Sequence, residues 1–333
     1  METTAVQQLF FQHIKGNLPP HLSLVDEVAE VLDISNDSAY RRIRGEKAIS
    51  FEEIQKLCSY YKVSLDQFLH LQSDAIIFTG RVDYNSKTIF EDYLQNVYQQ
   101  LNLIQSFEMK HIYFLMKDIP HFVHFQVPEL ATFKFYFWMK SILHDESLQK
   151  VKFSLDDPRY EKLYPLSKNI IEAYNKVPTT EIWNVESINS TIRQIEFYRD
   201  SGLYKNESDV KMLYEKLEEL INHIERQAET GVKFNFGTEP NANSTPYRLF
   251  VNEFVTLDNT LMAEINNVKL TFINHSVLFF VATRDEKFNE SMFTNLHNMM
   301  KKSTLISGVG EKERVRFFKI LRDKIQARLR SLK

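Results

Sequence analysis

Apolar residues recur every three or four positions through most of this chain, and only in the last quarter do they alternate or run together. "TAVQQLFFQHIK" (4–15) places Val6, Leu9, Phe10 and Ile14 on one helical stripe. "GNLPP" interrupts it. A second stripe, Leu24, Val28, Val31 and Leu32, follows Ser23 as its cap, and Ser35 caps a short third helix that ends at Gly45. Ser50 and Glu53 have the spacing of a capping box, with Ile49 and Ile54 as the flanking staple. Ser64 with Gln67, between Val63 and Phe68, repeats the device. The pattern predicts five short helices between residue 4 and about residue 71.

The middle of the chain is mainly helical in period. "TIFEDYLQNVYQQLNLI" is amphipathic and "ELATFKFYFWMKSIL" reads as an aromatic-rich helix. "KHIYFLM" and "HFVHFQV" read as buried strands on either side of Pro120. Residues 206–229 form one long predicted helix, in which Val210, Leu213, Leu217, Leu220 and Ile224 keep heptad spacing. That stripe is a candidate dimer seam and equally a candidate core face. After the turn-rich "GTEPNANSTP" (237–246), four strands are expected in "RLFVNEFVT", "TLMAEIN", "VKLTFIN" and "SVLFFVAT". Asn266-Asn267 suits a two-residue hairpin, because asparagine tolerates the positive φ such turns need. Two helices, near 288–302 and 311–330, close the chain.

The expected fold is mostly α and α+β overall. It comprises an N-terminal five-helix domain (1–72), a mainly helical middle region (74–236), and a C-terminal region (246–333) with a small antiparallel sheet flanked by helices. The last two can form one unit.

Composition narrows the class. A hydrophobic fraction of 43% over 333 residues is enough to bury cores. Eight glycines argue against a glycine-rich nucleotide fold, and Cys58, the only cysteine, excludes a disulfide framework or a cysteine zinc site within one chain. No apolar run reaches the ~20 residues of a membrane span, and "METTAVQQLF" lacks a signal-peptide pattern. A cytoplasmic protein without membrane contact is expected.

Net charge is -3, yet Arg41, Arg42 and Arg44 crowd the third predicted helix. On a helical wheel Ala39 and Ile43 face inward. Asp37, Ser38, Arg41 and Arg44 face outward, with Tyr40 and Arg42 on the flanks. A short helix that rests on a small core and shows arginines outward fits a DNA major groove, where the planar guanidinium meets two acceptors at once.

The residues "VAEVLDIS", "SAYRRIRGE" and "AISFEEIQKLCSYYKVSLDQFL" resemble the helix-turn-helix of the lambda repressor/Cro class, the xenobiotic-response-element family. Val28-Ala29 match the apolar-alanine pair of its second helix, and Gly45 matches the exit glycine. Asp33 stands where the class often has glycine, and Val25 where it often has a phosphate-contacting glutamine. The resemblance implies that Asn36, Asp37, Ser38 and Arg41 read bases, with Tyr40 beside them, and that Arg42, Arg44 and Lys47 contact phosphates. It implies double-stranded DNA as partner, a homodimer, and a long C-terminal region that dimerises and senses a small-molecule effector.

Other signals carry less. "EKERVRFFKILRDKIQARLRSLK" (311–333) has nine Lys/Arg against three Asp/Glu, which fits a packed amphipathic helix (through Val315, Phe317, Phe318 and Leu321) better than a second DNA contact. His121 and His124, in "PHFVHF", lack adjacent partners for a metal. No nucleophile elbow or phosphate loop occurs, so no enzyme and no cofactor is expected. The rival readings are a protein-interaction scaffold built on the N-terminal helices and an enzyme with a helix-turn-helix appendage.

Overall fold

The computed structural model describes residues 3–18, 22–61, 63, 65, 69, 76–80, 89–254 and 259–332. The chain divides into two compact units, Met1–Ile77 and Phe78–Lys333.

The first unit holds α1 (Thr3–Asn17), α2 (Leu24–Leu32), α3 (Asn36–Ile43) and α4 (Phe51–Tyr61). Its core is Phe10, Phe11, Ile14, Val28, Ala29, Leu32, Ala39, Leu57 and Val63. Small side chains at Ala29 and Ala39 leave room for α2 and α3 to approach closely, as ridge-and-groove packing demands. Asp33 takes the left-handed conformation (φ 53°) at the end of α2. There the short polar side chain of aspartate lowers the penalty that most residues would meet. Ser35 Oγ accepts the Ser38 N–H at 3.3 Å and so starts α3. Ser23, expected as a cap, makes no side-chain capping bond. The fifth helix, with its Ser64–Gln67 box, lies outside the described residues apart from isolated positions.

The second unit is built on one mixed sheet. Its strands are β1 (Thr79–Gly80), β2 (Lys110–Leu115), β3 (Thr179–Trp183), β4 (Val232–Lys233), β5 (Thr245–Val251), β6 (Thr260–Ile265), β7 (Val268–Asn274), β8 (Phe280–Thr283) and β9 (Thr304–Leu305). They run in the order β1-β8-β7-β6-β2-β3-β5-β4, with β9 also on β5. The pairs β2–β3 and β3–β5 are parallel and all others antiparallel. The antiparallel sheet expected from the C-terminal region is therefore one wing of a larger sheet. Parallel neighbours need long crossovers, and the helices of the middle region supply them. The hairpin between β6 and β7 turns at Asn266 and Asn267, both at positive φ (47° and 67°), with Ile265 opposite Val268.

Helices cover both faces. One face of β2 sends Ile112 and Phe114 into the larger core. On the other face Leu115 joins Ile182, Phe250 and Met262 against Phe293 and Leu296 of α10 (Glu286–Lys301). The larger core takes in α5 (Ile89–Ser106), α6 (Pro128–Phe137), α7 (Tyr164–Tyr174), α8 (Asn189–Asp200), α9 (Ser208–Thr230) and α11 (Glu311–Ser331). Every residue of β3 is buried. Its Glu181 carboxyl group accepts from Trp183 Nε1 (2.7 Å), Tyr247 Oη (3.2 Å) and Tyr174 Oη, so both of its buried oxygens are hydrogen-bonded. Among the described residues no helix is long and apolar enough to cross a membrane.

Three expectations change. "HFVHFQV" is not a strand: residues His121–Gln126 form a 3-10 helix, closed in by Pro120 and by Pro128 at the start of α6. Val315 is about half exposed, whereas Phe317, Phe318 and Leu321 do pack inward. The heptad residues Val210, Leu213, Leu217, Leu220 and Ile224 lie at 0–2% exposure in the chain's own core, where α9 lies along α11. They cannot form a seam with another copy without unpacking that core. Leu217→Ala is expected to cost about 2–5 kcal/mol of stability, read by chemical denaturation. Its molar mass in light scattering should equal that of the parent at the same concentration. A change of assembly without loss of stability would restore the seam.

Candidate nucleic-acid interface

The third helix is held from three sides, and this decides which of its faces is free. Ala39 is fully buried and Ile43 packs against the same core. From α4, Glu53 closes the capping box: its N–H donates to Ser50 Oγ at 3.2 Å, and its carboxylate accepts the Ser50 N–H at 3.0 Å. The same carboxylate accepts from Arg42 Nε at 3.1 Å and Nη2 at 2.6 Å, while Arg42 Nη1 donates to Ser38 O at 3.1 Å. From α1, Gln7 Nε2 donates to the carbonyls of Arg42 (2.7 Å) and Lys47 (2.8 Å), and Gln7 Oε1 accepts the Ile49 N–H at 3.2 Å. Gln8 Nε2 donates to Arg44 O at 2.7 Å. The backbone after α3, which turns at Gly45 (φ 75°), is thus stapled to α1.

Arg42 does not have the place the sequence assigned it. Its side chain is only 7% exposed, and its guanidinium faces Glu53 rather than solvent. A phosphate contact would have to break a bidentate pair, so Arg42 is a positioning residue. The helical wheel set Arg42 on the flank, at the edge of the inward side, and could not show that Glu53 of α4 draws it in.

The remaining candidates stay at the surface. Arg41 and Lys47 are exposed, and Arg41 forms no ion pair among the described residues. Arg44 lies over the Tyr40 ring (5.5 Å to its centroid) and pairs with Glu46 at 3.3 Å, with both partners open to water. Exposed pairs of this kind contribute little and exchange readily for another anion. Asn36 Nδ2 donates to Asp26 Oδ1 at 2.8 Å, which ties the first turn of α3 to α2. Asp37 is exposed and Ser38 half-buried. Together Tyr40, Arg41 and Arg44 make an outward face with two cations and one ring. Sequence reasoning did not single out Gln7 and Gln8. Their signal was two adjacent amides on an otherwise apolar helix start.

Cys58 is half-buried on α4, and burial raises its thiol pKa, so it stays protonated at neutral pH. In the second unit the cationic C-terminal helix is pinned by its own chain. Arg314 donates to the carbonyls of Ile306 and Val309, Arg322 pairs with Glu225, Lys324 with Glu186 and Arg328 with Glu196. His124 Nε2 bonds Thr191 Oγ1 at 2.9 Å, and the buried Lys134 donates to Thr191 Oγ1 (2.9 Å) and Gln194 Oε1 (2.7 Å). No group of three or more possible metal-binding His, Cys, Asp or Glu side chains occurs among the described residues.

A helix-turn-helix family model matches residues 21–68. The N-terminal region is a helix-turn-helix domain of the lambda repressor/Cro-like kind, and such a domain supports a DNA-binding regulator. No curated protein and no solved structure matches the chain.

The Arg42–Glu53 pair gives a pH test. Its hydrogen bonds with Arg42 hold the Glu53 carboxyl below its ordinary value of 4.5. A depressed carboxyl adds stability that is complete above about pH 4.5 and lost as pH falls through the lower folded value. Glu53→Gln should therefore unfold more easily than the parent near neutral pH, by about 1–3 kcal/mol, with the gap narrowing below pH 4.5. Circular dichroism melts across pH measure it. A gap independent of pH would remove the ion pair from the account.

Proposed function

We propose that this chain is a sequence-specific, DNA-binding transcriptional regulator that acts as a homodimer, with a second unit that senses a small molecule. The outward face of α3 is the observation that carries the reading: Arg41 and Arg44 beside Tyr40, on a helix whose inner side is locked by Ala39, Arg42 and Gln7. Asn36, Asp37, Ser38 and Arg41 are the proposed base readers, with Tyr40 beside them. Arg44 and Lys47 are the proposed phosphate contacts. Asp37 can only accept, which matches the amino group of cytosine. No reaction is part of the proposal.

Charge constrains the reading. Residues 1–70 carry seven Lys/Arg and ten Asp/Glu, and Arg42 is spent on Glu53. Few phosphates can then be neutralised by one domain, so affinity from backbone contacts is low and its salt dependence shallow. Two domains on two half-sites offset that weakness, and half-sites about 34 Å apart are the common spacing for this class. With the α9 heptad committed to the chain's own core, the proposed dimer must use another surface.

Arg41→Ala is expected to weaken binding to a selected DNA site by about 1–3 kcal/mol and to relax the preference at one base pair, with random duplex little affected. Fluorescence anisotropy on both DNAs across a salt series measures this. Equal losses on both would make Arg41 a phosphate contact, and no binding at any salt would shift the reading to a protein-interaction module. Light scattering of the full chain should give a dimer at micromolar concentration. A monomer that binds a single non-palindromic site would remove the dimer.

A further inference from the structure

The second unit contains a cavity that the fold does not fill. It lies between α5 and the sheet, walled by Val97 and Leu101 of α5, Phe114 of β2, Leu261 of β6 and Phe280 of β8. About 110 Å³ of space, partly open to solvent, remains there. Well-packed interiors leave few voids larger than a water molecule. Apolar cavities of about 150 Å³ take up a benzene ring, so a space on this scale that opens toward solvent can seat a small flat molecule, whereas packing alone would close it.

The lining is chemically one-sided. Among the described residues no lysine, arginine, aspartate or glutamate side chain lines it. Its members with polar groups are Tyr93, Gln100, His121, Asn259, Thr260 and Asn274. Two of these are already engaged. Asn259 Oδ1 accepts the Asp118 N–H at 3.1 Å, and Asn274 Nδ2 donates to Ser276 O at 3.4 Å. The His121 ring, tilted against Trp138 with centroids 5.2 Å apart, has no hydrogen-bond partner among the described residues. Burial and the nearby Lys134 lower its pKa to about 4, so the imidazole is neutral at physiological pH. Tyr93, Phe122 and Phe272 add rings to the wall.

We propose that this cavity binds an uncharged, flat, ring-bearing small molecule that makes one hydrogen bond, through a hydroxyl or carbonyl, to His121. The ring-rich wall favours a flat apolar body, since aromatic side chains stack or meet edge-on with it. A carboxylate there would lose its hydration with no cation among the described lining residues to replace it. A polar group aimed at His121 recovers a bond that the empty cavity leaves unmade. The assignment deepens the sensing part of the proposed function and rests on it only for the claim that the ligand matters to DNA binding.

Three probes of one shape test it: naphthalene, 1-naphthol and 1-naphthoate, titrated into the full chain by calorimetry near neutral pH. The expected order is 1-naphthol tightest, naphthalene weaker by about threefold to tenfold, and naphthoate weakest. His121→Phe should erase the advantage of naphthol over naphthalene while leaving naphthalene within a few-fold. Val97→Trp, which fills the space from α5, should weaken all binding at least tenfold with an unchanged circular dichroism spectrum. Naphthoate binding tightest would overturn the neutral-ligand class. Binding of none, or binding indifferent to Val97→Trp, would overturn the site. DNA affinity with and without 1-naphthol is a separate readout: no change there would remove the sensing role and leave the ligand class standing.

Discussion

The geometry of the outward face of α3 depends on one part-buried ion pair. Arg42 and Glu53 join α3 to α4 through a bidentate contact, and Glu53 at the same time completes the cap of α4. A single carboxylate therefore fixes the start of one helix and the rotation of another. Rotation is what matters, because α3 has only eight residues and little propensity of its own. With Arg42 drawn inward, Arg41 is left outward. A guanidinium is suited to the inner position because its donors reach the carboxylate and the Ser38 carbonyl at once.

The glutamines of α1 extend the same logic to the backbone. Gln7 bonds the Arg42 carbonyl in the last turn of α3 and, after the helix, the Lys47 carbonyl and the Ile49 N–H, and Gln8 bonds the Arg44 carbonyl. Side-chain amides fit this task because each carries both donor and acceptor. The segment that carries Arg44 and Lys47 is also tied back to α3 by bonds from the Gly45, Glu46 and Lys47 N–H groups to the carbonyls of Arg42 and Arg41. Held in this way, it presents its cations at a fixed height beside α3.

Local signals in the sequence proved the most legible. Ser35, Ser50–Glu53, Gly45, Asp33 and Asn266-Asn267 each mark a turn or cap through the chemistry of one or two residues, and each does so here. Long-range facts were hidden. β3, "TTEIW", is the buried centre of the sheet, yet it is five residues long with a glutamate in the middle. Tyr174 and Trp183, close by in sequence, and Tyr247, 66 residues away on the neighbouring strand, bond that glutamate, and Lys233 lies near it as well. The heptad on α9 was visible, but a stripe does not name its partner, and α11 lies about a hundred residues further on. "HFVHFQV" alternates like a strand because alternation cannot register the prolines that curl it into a 3-10 turn. At the candidate interface the outward arginine was legible and the inward one was not, since identity alone does not tell which of two adjacent arginines meets a carboxylate.

The placement of β2 in the sheet has a consequence for how the chain is made. β2 ends at residue 115, but its neighbours are β3, near 180, and β6, near 262. The sheet cannot close until almost the whole chain has left the ribosome, and such distant pairing is slow to form. The helices of the first unit make mostly near-neighbour contacts and can fold as soon as they emerge. Biosynthesis thus passes through a stage in which the N-terminal domain is folded while the aromatic-rich remainder still exposes apolar surface. That remainder is the part of the molecule in which a delay in translation or a shortage of chaperones would be felt.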